Sequence, residues 1–418
     1  MRQILLITLF LFISSHSVFS YNEVLVVMNP DTQDSIGLTV KPLVIDESFT
    51  GKVELASRMP DSEIKERKLN WAIRKLDRWG KPSTIHQSSI PLFQGTKFSG
   101  RTLFLDLPER WERGDFLELS LVDDKGKEIS NWTYPFLLPF EMNDKVLGPY
   151  KRIAREPLSL QEIDGDLILI AGTRKFVFDM RANYLREIWL DGEMIPFAQV
   201  SYSIEGLDLL KGKKYYDWNS NGSLTVYFEF TPSDSKVAWT VFADGRLKLE
   251  TDLYISDNQI INKPGLGFDL NENKLKEIKW IGNGPKAESV LHSSKFGIWQ
   301  SFLNENSNPD FSMGGGITSE ADLYALRLKF ERTDVIIRSE TQGIFFELQN
   351  PIWGTSNSDL PITYSINSDL GLLINKDDFY QAYVPEAESS PSGEGSQQAT
   401  QNEFKKGLTL WFDFKKAP

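Results

Sequence analysis

Apolar and polar residues alternate along most of this chain. Lys175-Phe-Val-Phe-Asp-Met180 and Phe116-Leu-Glu-Leu-Ser-Leu-Val122 place hydrophobic side chains at every second position, the period of a half-buried β-strand. Leu224-Thr-Val-Tyr-Phe-Glu-Phe230 is rich in aromatic and β-branched residues, which pack well on a pleated surface. Turn chemistry separates these runs. Arg186–Leu190 is followed by Asp191-Gly192 and then Glu193-Met-Ile195, and Val237–Phe242 runs through Asp244-Gly245 into Arg246–Tyr254. Both are Asp-Gly hairpin signals. Asp123-Asp-Lys-Gly126 supplies a third turn, before Glu128-Ile129. Helical periodicity is scarce. Asp61–Trp79 is its best candidate, and the alternation of Trp71 with Ile73 fits a strand equally well. The pattern predicts an all-β protein with strands every ~8–12 residues.

The spacing also suggests an organisation. Residues 21–148 hold about seven short strands, enough for one immunoglobulin-like sandwich. Pro135–Pro157 is rich in proline and poor in alternation, which suits a linker. Residues 149–418 then form one long β-rich unit, fitting a large two-sheet assembly. Within it, residues 385–402 include Glu-Ser-Ser-Pro-Ser-Gly-Glu-Gly-Ser-Gln-Gln. That stretch has almost nothing to bury and predicts a disordered loop. Gly407-Leu-Thr-Leu-Trp-Phe-Asp-Phe414 follows as a strong strand, so the chain is expected to return to the sheet.

The first twenty residues read as an address. Arg2 is followed by a nearly continuous apolar run, Ile4–Ile13, and Val18-Phe19-Ser20 fits the small-x-small rule. This predicts residues 1–20 as a signal peptide cleaved after Ser20, and a secreted or periplasmic protein. The alternative, a membrane anchor, falls short of the ~20 apolar residues that a spanning helix needs.

Composition narrows the chemistry. The 418 residues include no cysteine and only three histidines, with a net charge of −12. Disulfide scaffolds, thiol nucleophiles and thiolate metal sites are excluded. A multi-histidine metal site is not expected. An acidic chain offers no basic face for nucleic acid. Asp217-Trp-Asn219-Ser-Asn221-Gly222 matches the start of a calcium loop. The twelfth position, however, is Phe228 rather than a bidentate Glu, and a strand follows. A polar turn explains the motif more simply. Met313-Gly-Gly-Gly316 lacks the Lys-Ser/Thr of a phosphate cradle. No cofactor is expected. His86 and His292 remain once the signal peptide is removed, and His292, shortly after a Gly-Pro turn, is the more interesting. Eleven tryptophans are the remaining lead. Trp189, Trp239 and Trp411 fall inside predicted strands and read as core. Trp280, Trp299 and Trp353 sit beside Gly, Asn or Pro, where exposed rings would suit the apolar faces of sugars.

Pro264-Gly-Leu-Gly-Phe-Asp-Leu270, then Ile278-Lys-Trp280-Ile-Gly282-Asn283-Gly284-Pro285, then Phe296-Gly297 form the most distinctive stretch. It resembles the C-terminal domain of glycoside hydrolase family 2 β-galactosidases, where a Gly-Leu-x-Phe strand leads to Trp-x-Gly-Arg-Gly-Pro-His-Glu-Asn. Gly165–Ile195 is similar to that domain's opening, and residues 21–148 resemble the immunoglobulin-like domain before it. The resemblance implies a galactose-mutarotase-like β-supersandwich that binds sugar on a concave sheet. The family's Arg, His, Glu and Asn are replaced here by Asn283, Lys286, Ala287 and Glu288. The chain has no room for the family's (β/α)₈ barrel of ~250 residues, which carries the catalytic glutamates.

The leading expectation is therefore a secreted, non-catalytic carbohydrate-binding protein or accessory chain. Its candidate sugar-binding residues are Trp280, Asn283, Lys286, Glu288, His292 and Trp353. Two alternatives stand beside it. One is an enzyme acting on carbohydrate, a glycoside hydrolase or an epimerase or lyase with His292 as acid/base. The other is a structural partner that docks on a barrel-bearing glycosidase chain.

Overall fold

A computed structural model describes residues 25–28, 45, 49–56, 67–77, 82–92, 101–149, 156–203, 212–231, 235–255, 264–270, 275–284, 296–302, 316–318, 322–349, 368–374 and 404–417. These residues are overwhelmingly strands, in sheets of three, four, five, five and nine strands. The all-β expectation holds. The predicted signal peptide, residues 1–20, and the predicted loop, residues 385–402, lie outside the described residues.

Two sheets and one core occupy the first part of the chain. The three-stranded sheet joins Leu25–Met28, Lys52–Ala56 and Arg101–Phe104. The four-stranded sheet runs Ser83–Pro91, Lys68–Lys75, Phe116–Val122, Glu128–Pro135. Between them pack Val53, Leu69, Trp71, Ile73, Leu117 and Leu119. The ambiguous Asp61–Trp79 stretch therefore contributes a strand. Its alternation sends Trp71 and Ile73 inward, and His86 lies against the Trp71 ring at 5.0 Å.

The rest of the chain builds a larger sandwich. Its nine-stranded sheet is ordered Lys213–Trp218, Leu224–Phe230, Ser235–Val241, Leu247–Ile255, Phe404–Lys416, Thr333–Ser339, Ala325–Phe330, Leu275–Asn283, Phe296–Phe302. One face of it packs on two five-stranded sheets. Phe228, Trp239, Leu249, Phe412, Ile337, Leu326 and Trp280 meet Phe176, Ile188, Phe268, Phe346 and Leu372 there in one continuous core. Gly407–Phe414 lies inside the Phe404–Lys416 strand, fifth of the nine, pairing with Leu247–Ile255 on one side and Thr333–Ser339 on the other. Both Asp-Gly hairpins form. Asp191 and Gly192 take φ of 53° and 82°, the left-handed pair that matches strand twist in a two-residue turn.

One expectation is corrected. Pro139–Leu147, inside the predicted linker, is an α-helix. Pro139 stands at the first helical position, where its missing N–H costs nothing. The Glu141 carboxylate accepts from the Leu138 N–H at 2.9 Å, capping the open end. Met142 and Val146, one turn apart, are buried with Leu76 and Phe116 on one side and Ile281, Phe296 and Tyr324 on the other. The fully buried Asp115 carboxylate accepts from Leu76 N at 2.5 Å and pairs with Lys145 of the helix. The helix is thus a wedge between the two cores. Proline density concealed it, because its inward face is short and mixes Pro139 and Asn143 with Met142 and Val146.

Candidate functional site

The strand register divides the nine-stranded sheet into an inner and an outer face. Along Phe404–Lys416, Leu408, Leu410, Phe412 and Phe414 enter the core. Thr409, Trp411, Asp413 and Lys415 therefore point outward, since successive side chains alternate. Across the sheet, Trp411 lies level with Lys248 on one neighbour and Arg338 on the other. The expectation that Trp411 is core is thus corrected. Trp189 also leaves the core: its indole N–H donates to Glu187 at 2.9 Å and the Lys175 ammonium covers its ring. Trp239 is core, as expected.

Trp411 borders a cleft of about 190 Å³ between the outer face and the Pro139–Leu147 helix, lined by Phe140, Asn143, Asp144, Pro149, Arg246, Arg338, Ser339 and Glu340 as well. The indole is held from several sides. Its N–H donates to Glu340 Oε1 at 2.7 Å. Phe242 stacks on it with centroids 5.3 Å apart and planes 28° from parallel. The Arg246 guanidinium lies 5.3 Å and the Lys248 ammonium 5.4 Å from its ring centre, distances at which a cation is attracted to the ring face. Asp244 orients Arg246 at 2.7 Å. The opposite wall is fixed as firmly. Asn143 Nδ2 donates to the carbonyls of Tyr324 and Ser339 at 2.8 and 3.1 Å, and Arg338 donates to the Gly148 carbonyl at 2.7 Å.

A second aromatic feature stands on the same face near the sheet edge. Tyr215 and Tyr227 oppose each other across neighbouring strands and stack at 4.8 Å, 24° from parallel. The Tyr215 hydroxyl donates to Glu229 at 2.7 Å, Glu229 pairs with Lys236 at 3.3 Å, and Lys236 lies 4.4 Å from the Tyr227 ring centre. The hydrogen bond from Tyr215, followed by the attraction of Lys236, holds the Glu229 carboxyl below its ordinary value. The same bond raises the Tyr215 hydroxyl.

The sequence-predicted residues fare differently. Trp280 is 0% exposed. Its ring lies 6.4 Å from that of Trp299 and 5.3 Å from that of Phe346, and its N–H donates to the Asn283 carbonyl at 2.9 Å. No ring face of Trp280 is open to a ligand, which corrects the expectation that it is exposed. Asn283 is also buried, its amide 3.5 Å from Asp322. The glycines around it have packing reasons. Gly282 adopts φ 149° against the Asp322 carbonyl, and a side chain on Gly284 would enter the Trp299 ring. The structure brings Trp280 and Asn283 together as core. Lys286, Glu288, His292 and Trp353 lie outside the described residues.

The calcium-like motif is a hairpin turn. Asn221 Oδ1 accepts from Ser223 N and Oγ at 3.0 and 2.7 Å, and the Asn219 amide donates to Ser223 and Thr225. Asp217 is an outward residue of the edge strand, opposite Thr225. Among the described residues no three histidines, aspartates or glutamates gather as a metal site would require. No helix among them is long and apolar enough to cross a membrane.

A broader groove of about 500 Å³ lies on the outer face of the four-stranded sheet. Its polar groups largely bind one another: Arg74 pairs with Glu118 at 2.7 Å, and Asn131 donates to Glu118 and Glu128 at 3.3 and 3.4 Å. The Trp71 ring faces the core instead. The Trp411 cleft is the better site, because it combines an aromatic ring with charged and amide groups.

Comparison with known proteins adds little. No family model matches the chain, and no curated protein does. Among solved structures, the galactose 1-epimerase of Lactobacillus acidophilus NCFM is similar at 10% identity and a TM-score of 0.32. That match covers 64% of this chain and 98% of that one.

Proposed function

We propose that this protein binds carbohydrate on the outer face of its nine-stranded sheet, at the Trp411 cleft, and is not a catalyst on its own. The observation that carries this reading is the Trp411 setting. A half-buried indole presents apolar surface, while Glu340, Arg246, Asn143 and Asp144 border it with hydrogen-bonding groups. A pyranose has the matching character, an apolar face within a rim of hydroxyls. The cleft is small and open, which suits docking of a ring more than enclosure of a reaction. The relationship to the C-terminal sandwich of family 2 β-galactosidases belongs to the same proposal and rests on the Pro264–Gly297 motifs. So do a domain boundary near residue 148 and export behind residues 1–20.

Affinity electrophoresis on galactoside, plant and algal polysaccharides, with wild type and Trp411→Ala, tests the reading. Retention of the wild type and its loss in the variant are expected. No retention on any of these gels overturns it. Mass spectrometry of the exported protein tests the address: a chain beginning at Tyr21 is expected.

A further inference from the structure

We infer that the ligand of this face is an extended oligosaccharide, crossing the strands from the Trp411 cleft to the Tyr215–Tyr227 pair. This rests on the carbohydrate reading above and adds chain length and direction to it. The register places both aromatic features on the same side of one sheet. Tyr227 is level with Ala238, then Glu250, then Thr409. Thr225 is level with Thr240, then Lys248, then Trp411. The two features are thus three strand spacings apart and offset by two residues. At ~4.8 Å per strand and ~3.4 Å per residue this is about 16 Å, a span that a short oligosaccharide bridges and a monosaccharide does not.

The floor between them favours passage. Ala238 is the smallest outward side chain in its strand, and Thr225 and Thr240 bond to each other at 2.9 Å rather than standing up from the sheet. Lys248 and Glu250 stand on the intervening strand, in the two rows that join the features, and pair at 2.8 Å, offering donors and acceptors to hydroxyls. Aromatic rings at both ends with a polar floor between them match alternating ring faces and hydroxyl rims along a sugar chain. A single-ring ligand would use Trp411 alone and leave the tyrosine pair without a role in binding.

Isothermal titration tests this with galactan, agarose, laminarin and xylan oligosaccharides of one to six sugar units. It compares wild type, Trp411→Ala, Tyr227→Ala, Tyr227→Phe and Tyr215→Ala, each checked for folding by thermal melting. For at least one series, affinity is expected to rise with length. Tyr227→Ala should then lower hexasaccharide affinity about three- to tenfold and leave the monosaccharide unchanged, while Tyr227→Phe keeps the gain. Tyr215→Ala, at the sheet edge, gives the same answer should Tyr227→Ala not fold. Equal affinity for one and six units overturns the extended ligand while the Trp411 site stands. So does a length effect that both tyrosine variants preserve. Binding of no oligosaccharide by the wild type overturns the carbohydrate reading as well.

Discussion

Trp280 and Trp411 stand in the same nine-stranded sheet, three strands apart, on opposite faces. Trp280 shares its cross-strand row with Leu326, Ile337 and Phe412, all core. Trp411 is one residue out of phase with that row and meets charge. Neighbouring glycines and asparagine make Trp280 look like a loop residue, and a hydrophobic strand makes Trp411 look like core. The structure reverses both. Phase within the alternation, not the company a residue keeps in sequence, decides which ring can touch a ligand.

This contrast can be broken by experiment. Trp280→Ala removes a fully buried ring and is expected to cost about 3–5 kcal/mol, read from the denaturant midpoint. Trp411→Ala should cost no more than about 1 kcal/mol while abolishing retention on the polysaccharide gels. Equal destabilisation by the two would erase the distinction between core and site. Next in size is the helix wedge. Asn143→Ala removes the amide that bridges the Tyr324 and Ser339 carbonyls and should cost about 1–3 kcal/mol, with weaker sugar binding because the cleft wall loosens. Glu340→Ala removes the acceptor of the Trp411 indole. It should shift stability by only about 0.5–1.5 kcal/mol and raise the dissociation constant, whereas the same change at the distant Glu193 should leave binding alone.

The smallest expected effect is a pH dependence at the tyrosine pair. The Glu229 carboxyl is depressed in the folded protein, so the folded state binds its proton more weakly than the unfolded chain does. Its contribution to stability is present above the unfolded value and disappears as pH falls through the lower folded value. Titration of the Glu229 carboxyl followed by NMR should show a midpoint below that of an ordinary glutamate. Tyr215→Phe, which deletes the donating hydroxyl, should move it upward. An unmoved midpoint would sever Tyr215 from Glu229 and weaken the case for an ordered tyrosine platform.

Much of the fold was legible in sequence because strands write themselves at period two and hairpins announce themselves as Asp-Gly. The Asp191-Gly192 and Asp244-Gly245 turns, the return of Gly407–Phe414 to the sheet and the scarcity of helix could all be read that way. The helix at Pro139–Leu147 could not, since its buried face mixes Pro139 and Asn143 with Met142 and Val146 and the surfaces they fill come from distant segments. The site was half legible. In Gly407–Phe414 the alternation of Leu408, Leu410 and Phe412 with Thr409, Trp411 and Asp413 carries the signal that puts Trp411 on the polar face, but the strand's hydrophobicity made it read as core. What sequence could not supply was Glu340, Phe242 and Arg246, which reach Trp411 only through strand pairing.

Phe404–Lys416 is the fifth of nine strands, yet it is the last described strand to be synthesised. Its partners, Leu247–Ile255 and Thr333–Ser339, must wait for it, with Leu408 bonded to a residue 157 positions earlier. Without that strand in place the sheet would be two unjoined halves with open edges, a state inviting to proteases and to other chains. Folding is therefore expected to be slow. Loss of the Phe404–Lys416 strand would not trim the molecule. It would leave it without a middle, and without Trp411.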